Sequence, residues 1–487
     1  MNTKPQKNYT VPIIMMILLF GMISFVTNLA APMGVVVKGQ FQASNFLGML
    51  GNFANFIAYA VMGIPAGKLL EKIGYKKTSL LAIVVGFVGV GIQFLSGVAA
   101  SFFVYLMGAF VAGFSMCMLN TVVNPMLNTL GGGGKKGNQL IQIGGSFNSL
   151  MGTSVPILVG MLVGEVTKDT AISDVNPVMF IAMGIFALVG IVLYFVNIPE
   201  PHIVKKEKEV VKEKSKYSAW SFRHFVLGAI GIFIYVGVEV GIPGTANFYM
   251  TAYTVKQADG IAAEYERQQV DASYLNALKV MDEQNSGVEG YESKVLEEDS
   301  YKLAKKIIAG DTRPGLGMKA SIAGVIVGLY WILMLVGRLV GAGLAAKFSS
   351  KGMLAFASSL GCIFILLGIF LPLSTEGVNI TGLIGADETV VIPLNIMFFI
   401  LCGLCTSVMW GGIFNLAVEG LGKYVAAASG IFMMMVCGGG ILPLIQSAVA
   451  DVAGYLTSYW IPFLGLVYLL FYAFVGSKNV SKHISVA

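Results

Sequence analysis

Charge is scarce in this chain: 12% of its 487 residues are Asp, Glu, Lys or Arg, against about 25% in a soluble protein. With 56% of residues hydrophobic, that shortage excludes both an ordinary soluble enzyme and a disordered protein. Histidine is scarcer still. The three present, His202, His224 and His483, fall in a charged central stretch, at the edge of an apolar run and in the C-terminal tail, so no imidazole relay crosses the apolar segments. The five cysteines (Cys117, Cys362, Cys402, Cys405, Cys437) all sit inside apolar runs, which yields neither a disulfide framework nor metal-ligand spacing. What the chain has in abundance is glycine, 60 residues, and long apolar runs that raise its mean hydropathy to +0.77. Such a glycine content suits membrane helices that pack through small residues. One crossing takes about 20 apolar residues, so the length accommodates about a dozen. The runs are continuous rather than alternating, which excludes a β-barrel. An all-α polytopic membrane protein follows.

Hydropathy predicts spans at 11–34, 45–67, 78–99, 101–126, 140–164 and 176–198, then at 225–254, 318–345, 353–374, 390–416, 425–449 and 456–476. This divides the chain into an N-terminal six-helix bundle (1–198), a basic linker (199–224) and a C-terminal six-helix bundle (225–487). Lys68, Lys72, Lys76 and Lys77 follow the second span and Lys135 and Lys136 the fourth. Seven Lys/Arg against four Glu mark the linker, Lys347 and Lys351 follow the eighth span, and Lys478 and Lys482 the twelfth. All share one side if both termini are cytoplasmic, as the positive-inside rule requires for a protein of the cytoplasmic membrane. The net charge of +6 thus belongs to loops at a bilayer surface, with no nucleic-acid partner implied. The opening segment MNTKPQKNYT reads as a cytosolic tail without a cleavage site. Residues 256–316, with twelve Asp/Glu and eight Lys/Arg, form an extracytoplasmic insertion. Its amphipathic stretches are expected around Ile261, Tyr265, Leu278 and Met281 and around Leu303, Ile307 and Ile308, as a solvated excursion, or as a cap over the outer mouth or a docking surface.

Two ionisable residues stand well inside spans, where a charge costs about 2.5–3.5 kcal/mol on insertion scales. Glu239 in span seven is read as a substrate or cation ligand. Arg338 in span eight is read as structural, near the inner end of its helix. Polar residues also recur at helical spacing: Asn52, Asn55 and Tyr59; Asn120 and Asn124; Gln142, Ser146 and Ser149, with Asn148 alongside. Rows of this kind suit a sugar, whose hydroxyls need donors and acceptors while its apolar ring face stacks on an aromatic. Trp410 is the stacking candidate, with Phe147 and Tyr235 behind it. Interhelical hydrogen bonding is the competing use of such residues. Trp331 and the scattered methionines read as packing or lipid contacts. Gly131 to Lys136 superficially suggests a phosphate loop, but the GxxxxGK[ST] order and a preceding strand are missing, and it reads as the loop between spans four and five.

After span two, Gly67-Lys-Leu-Leu-Glu71-Lys-Ile-Gly74-Tyr-Lys76-Lys-Thr78 resembles the loop signature of the major facilitator superfamily, echoed by Gly337-Arg338-Leu-Val-Gly341. A set of further landmarks is similar to the fucose:proton symporter family of hexose transporters. It comprises Ile64-Pro65-Ala66-Gly67, Asn124-Pro125, Ser146-Phe147-Asn148-Ser149, Tyr235-Val-Gly-Val-Glu239, Ile413-Phe414-Asn415-Leu416, and Gly438-Gly439-Gly440 through Pro443. The resemblance covers nearly all twelve spans and leaves out the insertion. It implies a twelve-helix fold working as a monomer by alternating access, without a cofactor, importing a hexose or derivative together with a proton or sodium ion. The expected substrate ligands are Asn28, Asn52, Asn55, Asn120, Asn124, Gln142, Asn148, Tyr235, Glu239, Trp410 and Asn415, with Glu239 also coupling the cation. Gly67, Glu71, Gly74, Lys76 and Arg338 are expected to serve gating and structure. Two departures stand out. The family's acids in spans one and four correspond here to Asn28 and Asn120, which bind hydroxyls but take up no proton. A sugar uniporter and a non-transporting sugar sensor are therefore the alternatives. No nucleophile–base pair supports an enzyme.

Overall fold

The computed structural model describes residues 9–40, 44–99, 101–131, 134–163, 172–200, 217–285, 293–344, 348–372, 377–381, 391–421 and 424–480. Long apolar runs become helices because only a helix pairs every backbone N–H and C=O within its own segment in a medium without water. Among these residues eleven helical stretches are long and apolar enough to cross a membrane. They are span one (Thr10–Lys38), two (Asn45–Leu70), three (Lys72–Ala99), four (Phe102–Leu127), six (Ile172–Phe195) and seven (Arg223–Thr251), then eight (Ala320–Gly341), nine (Ser350–Phe370), ten (Leu394–Val418), eleven (Gly430–Ala453) and twelve (Tyr455–Gly476). Span five, the helix Gly134–Val163, is the twelfth. It begins six residues ahead of its expected start, so Gly134 to Lys136 form its first turn rather than a loop.

Four spans are interrupted among the described residues, span twelve at Tyr459 between the helices Tyr455–Ser458 and Trp460–Phe471. Span one is a helix Thr10–Asn28 followed by another from Ala30 to Gln40. Span ten breaks between Thr406 and Met409, and span eleven between Met435 and Gly438. Spans two and three join through Gly74, whose φ of 83° and ψ of 176° lie in a region that is essentially glycine-only. Glycine elsewhere lets backbones touch: a methyl group at Gly113 would strike the carbonyl of Asn55, and one at Gly438 that of Phe233.

The linker and the insertion lie at opposite ends of the spans, and they name the two faces used below. The insertion folds into three helices, Val255–Val270, Ala272–Asn285 and Glu298–Ile308. The stretch expected to run from Ile261 to Met281 is split at Asp271, an extended residue whose carboxylate caps the next helix through Tyr274 N (2.9 Å). Ala258, Ala262, Ala304 and Ile307 form its small core. The Tyr265 and Tyr301 rings stack at 4.6 Å. Glu266 accepts from Lys305 (2.8 Å) and Tyr301 (2.9 Å). The insertion stands on the C-terminal half: Gly315 to Met318 donate backbone bonds of 2.7–2.9 Å to the last carbonyls of span seven and the residues just beyond it. Arg313 donates to the Val452 carbonyl at the end of span eleven (2.9 Å). A two-stranded hairpin, Gly377–Asn379 with Val391–Pro393, leads into span ten.

The halves meet along spans two and eleven and along spans five and eight. On the insertion face, Asp451 of span eleven caps span two, accepting from Asn45 N (2.9 Å) and Phe46 N (2.8 Å). Tyr455 donates to Asn45 Oδ1 (3.0 Å), as does Lys38, whose ammonium lies 4.5 Å from the centre of the Phe248 ring. Deeper, Asn52 donates to the Gly439 carbonyl (2.7 Å). The halves are thus bonded at the insertion face and in the middle.

Candidate functional site

Arg338 joins the two halves at the centre of the molecule. Its Nη1 donates to the Gly145 carbonyl (2.5 Å) and to Ser149 Oγ (2.9 Å), both on span five. Its Nη2 lies 3.5 Å from Glu239 Oε1 on span seven, with the two side chains 13% and 14% exposed. Glycine at 145 leaves room for the guanidinium, which passes 3.4 Å from where a Cβ would stand. Arg338 lies three residues before the end of span eight at Gly341, where it faces Glu239 of span seven. Two largely desolvated charges hold each other, and removing either would leave the other uncompensated. A planar guanidinium with five donors is suited to bonding both halves at once.

Aromatic groups surround the pair. Tyr235, one turn before Glu239, is fully buried, and its hydroxyl stands beside both charges. The Trp410 ring lies 6.2 Å from that of Tyr235. Tyr330 bonds to Thr406 Oγ1 (3.0 Å). Glu239, Tyr235, Trp410 and Arg338, picked out separately along the sequence, thus come together, and Ser149 joins them from its polar helix face.

The asparagines are dispersed. Asn120 donates to the Tyr59 hydroxyl (2.9 Å) and Asn124 to the Asn120 carbonyl (3.0 Å), a network within the N-terminal half. Asn148 pins span five to span one through the Phe20 carbonyl (2.9 Å). Asn28 bonds to Ser24 on its own helix (2.9 Å). Asn52 ties spans two and eleven, while Asn55 is buried with an unpaired Oδ1. Asn415 is exposed and lies five residues beyond Trp410, about 140° round the helix. Phe147 packs against Gly21 of span one. The side chains of Gln142 and Glu71 lie outside the described residues, as do those of Lys135, Lys136 and Lys347, residues 1–8, most of the linker with His202, and the tail with His483.

At the loop signature the acid in contact is Glu200, which follows span six. Its carboxylate accepts from Tyr75 N (2.8 Å) and Lys76 N (3.0 Å), capping span three just past the Gly74 turn. A Cβ on Gly74 would sit 2.6 Å from that carboxylate. Lys76 Nζ donates to the Tyr194 carbonyl (2.8 Å) at the end of span six, while Gly67 has open space beside it. Sequence reasoning overlooked Glu200, Lys38, Asn45 and Asp451. The available signal was a charged residue at the margin of an apolar run. Trp331, expected as a packing or lipid contact, is buried between the halves, 3.4 Å from where a Cβ on Gly152 of span five would stand.

Known proteins resemble this chain along its whole length. A glucose/galactose transporter of Brucella abortus (strain 2308) is 26% identical over 479 residues, covering 98% of this chain and 97% of the relative. The L-fucose-proton symporter of Escherichia coli (strain K12) is 20% identical over 501 residues, covering 98% and 95%. In three dimensions the chain is similar to the major facilitator transporter FucP in its outward conformation, with a TM-score of 0.62, 18% identity, and coverage of 97% of this chain and 100% of that one. It is also similar to a bacterial homologue of the lysosomal transporter Spinster in an inward-facing conformation, with a TM-score of 0.58, 11% identity and full coverage of both chains. The sequence pattern of the Major Facilitator Superfamily matches residues 13–266, more than half of the chain. A twelve-helix bundle of two halves, bonded to each other through an arginine at its centre, is thus a membrane transporter and not an enzyme, and the chain belongs to the Major Facilitator Superfamily.

Proposed function

We propose that the chain imports a hexose or hexose derivative by alternating access and couples that import to the entry of a cation. The observation that carries the reading is the Glu239–Arg338 pair, bonded through Gly145 and Ser149 to the opposite half. The end-to-end likeness to glucose/galactose transporters supplies the substrate class. A cation that neutralises Glu239, whether a proton on its oxygen or sodium beside it, weakens the hold on Arg338 and with it the link between spans five, seven and eight. Sugar hydroxyls then compete for the freed guanidinium donors. Cargo and cation together favour a state that neither favours alone, which is the differential binding coupling requires. The bonded insertion face fits a molecule closed outside, with the linker face and both termini in the cytoplasm, in the cytoplasmic membrane, and one chain sufficient for transport. Entry of one positive charge down 100 mV supplies about 2.3 kcal/mol, enough for roughly fiftyfold accumulation.

A uniporter on the same fold is favoured by one observation: where the resembled family carries acids, Asn28 and Asn120 stand hydrogen-bonded to neutral groups. Uptake of labelled glucose, galactose and fucose into proteoliposomes, under a proton gradient, a sodium gradient or neither, separates the readings. Concentration above equilibrium under one gradient is the expected result. Equilibration alone would make the protein a uniporter, and no movement of any hexose would overturn the substrate class.

A further inference from the structure

A lysine near the end of a span ordinarily lays its stem along apolar surface and delivers its ammonium to water. Lys38, which closes span one, reaches across to the other half instead. Its Nζ donates to Asn45 Oδ1 of span two. It stands 4.5 Å from the centre of the Phe248 ring of span seven and 6.0 Å from that of Tyr455 of span twelve. The Asp451 carboxylate of span eleven adds its negative charge. These surroundings are held in place without the lysine. Tyr455 donates to the same Asn45 oxygen (3.0 Å), and its ring stacks on that of Tyr249 at 5.1 Å. Asp451 accepts from Asn45 N (2.9 Å) and Phe46 N (2.8 Å). Asn45, Phe248 and Tyr455 are all buried. A glycine makes room for the stem: a Cβ on Gly48 would lie 2.7 Å from Lys38 Cγ and 3.0 Å from its Cδ. Lys38 and Asn45 belong to the N-terminal half, and both rings and the carboxylate to the C-terminal half.

We propose that Asn45, Phe248, Asp451 and Tyr455 form an ammonium-binding cage, that Lys38 is its tethered occupant, and that the occupied cage latches the insertion face shut. This rests on the reading of that face as the closed outer mouth. An ammonium has three N–H donors and no acceptor, and aromatic faces attract it through their ring quadrupole. The cage meets it with an amide oxygen, two rings and a nearby carboxylate. A hard metal ion calls for a shell of oxygens instead, so the chemical class of ligand is a compact organic ammonium. Opening the mouth draws spans one and two away from spans seven, eleven and twelve, and the Lys38 ammonium must then exchange the rings for water. The latch is separate from the capping of span two by Asp451: the cap needs a carboxylate and two backbone N–H groups, and the latch needs a cation.

The test uses the full chain carrying Phe53→Cys, in right-side-out and in inverted membrane vesicles, and follows labelling of that cysteine by a membrane-impermeant thiol reagent. Lys38→Met keeps an apolar stem and removes the charge. In right-side-out vesicles it is expected to label about 2- to 30-fold faster than the parent, the range that a cation over an aromatic face contributes. Phe248→Leu, with the lysine intact, is expected to shift the rate in the same direction and covers a lysine variant that merely misfolds. Lys38→Ala empties the cage for a free occupant. Methylammonium chloride is expected to slow its labelling, and sodium chloride at the same concentration to leave it fast. Lys38→Met, whose side chain fills the space, is expected to ignore both salts. Parental rates in both Lys38→Met and Phe248→Leu would overturn the latch. So would a Lys38→Ala rate that methylammonium changes no more than sodium does. Labelling from inverted vesicles alone, in every protein, would overturn instead the placement of the insertion face outside.

Discussion

At Glu239 one carboxylate faces a guanidinium that is itself held by a carbonyl and a serine of the other half. Glu239→Gln removes the charge that a cation would neutralise and retains a side chain of the same size. Its expected effect is loss of accumulation above equilibrium with sugar counterflow preserved; uphill uptake at the wild-type level would remove Glu239 from coupling. Gly74 offers a prediction about stability. A methyl group there meets the Glu200 carboxylate and forces a non-glycine residue to φ 83°, which costs about 1–3 kcal/mol. Gly74→Ala should therefore lower the melting temperature of the detergent-solubilised protein, while Gly67→Ala, with open space beside it, should not. Both charges of the pair were legible in the sequence because charge inside a span is rare, but their pairing across 99 positions was not. The asparagines were legible as polar faces. Whether each face meets a cavity or a neighbouring carbonyl, as Asn52 and Asn148 do, depends on which helix packs there, and spacing along one helix carries no such information.

Helix ends govern the contacts between elements. The N-terminus of span two is capped by Asp451, a residue of the opposite half, so the cap exists only while the insertion face is closed. An N-cap is worth about 0.5–2 kcal/mol, which corresponds to a shift of about 2- to 30-fold in the balance between closed and open states. Asp451→Ala is expected to raise the rate at which a membrane-impermeant thiol reagent labels a cysteine placed at Phe53, and Asp451→Asn, which keeps one acceptor, to raise it less. Equal rates in all three proteins would mean that the cap does not hold the face shut. The insertion responds to acid. Glu266 is held below the usual carboxylate range by the Lys305 ammonium and then by the Tyr301 hydroxyl. A lowered carboxylate supports the folded state above its unfolded pKa and loses that support as pH falls through the folded value. Hydrogen exchange in 258–307 should therefore quicken below about pH 4.5, the ordinary value for such a carboxyl, more than exchange in span seven, and only modestly because the pair is exposed. The twelve spans were readable from hydropathy, and the three insertion helices only as two stretches. The break at Asp271 is a local capping choice with no counterpart in the apolar spacing.

For the molecule as a whole, bonds between the halves run from the insertion face to the centre. Spans two and eleven are tied at Asn45, Phe46 and Asn52, and spans five and eight at Gly145, Ser149 and, through Thr153 to the Gly328 carbonyl, 3.4 Å apart. Among the described residues, the insertion is bonded to the C-terminal half, through span seven and the Val452 carbonyl. It is thus a signal flag planted on the C-terminal half, with Arg313 gripping the carbonyl next to the Asp451 cap. A donor dye on exposed Lys279→Cys and an acceptor near Phe103, at the rim of the other half, would report the tilt of the transporter as a change in energy transfer when sugar is added, with no label inside the transport path.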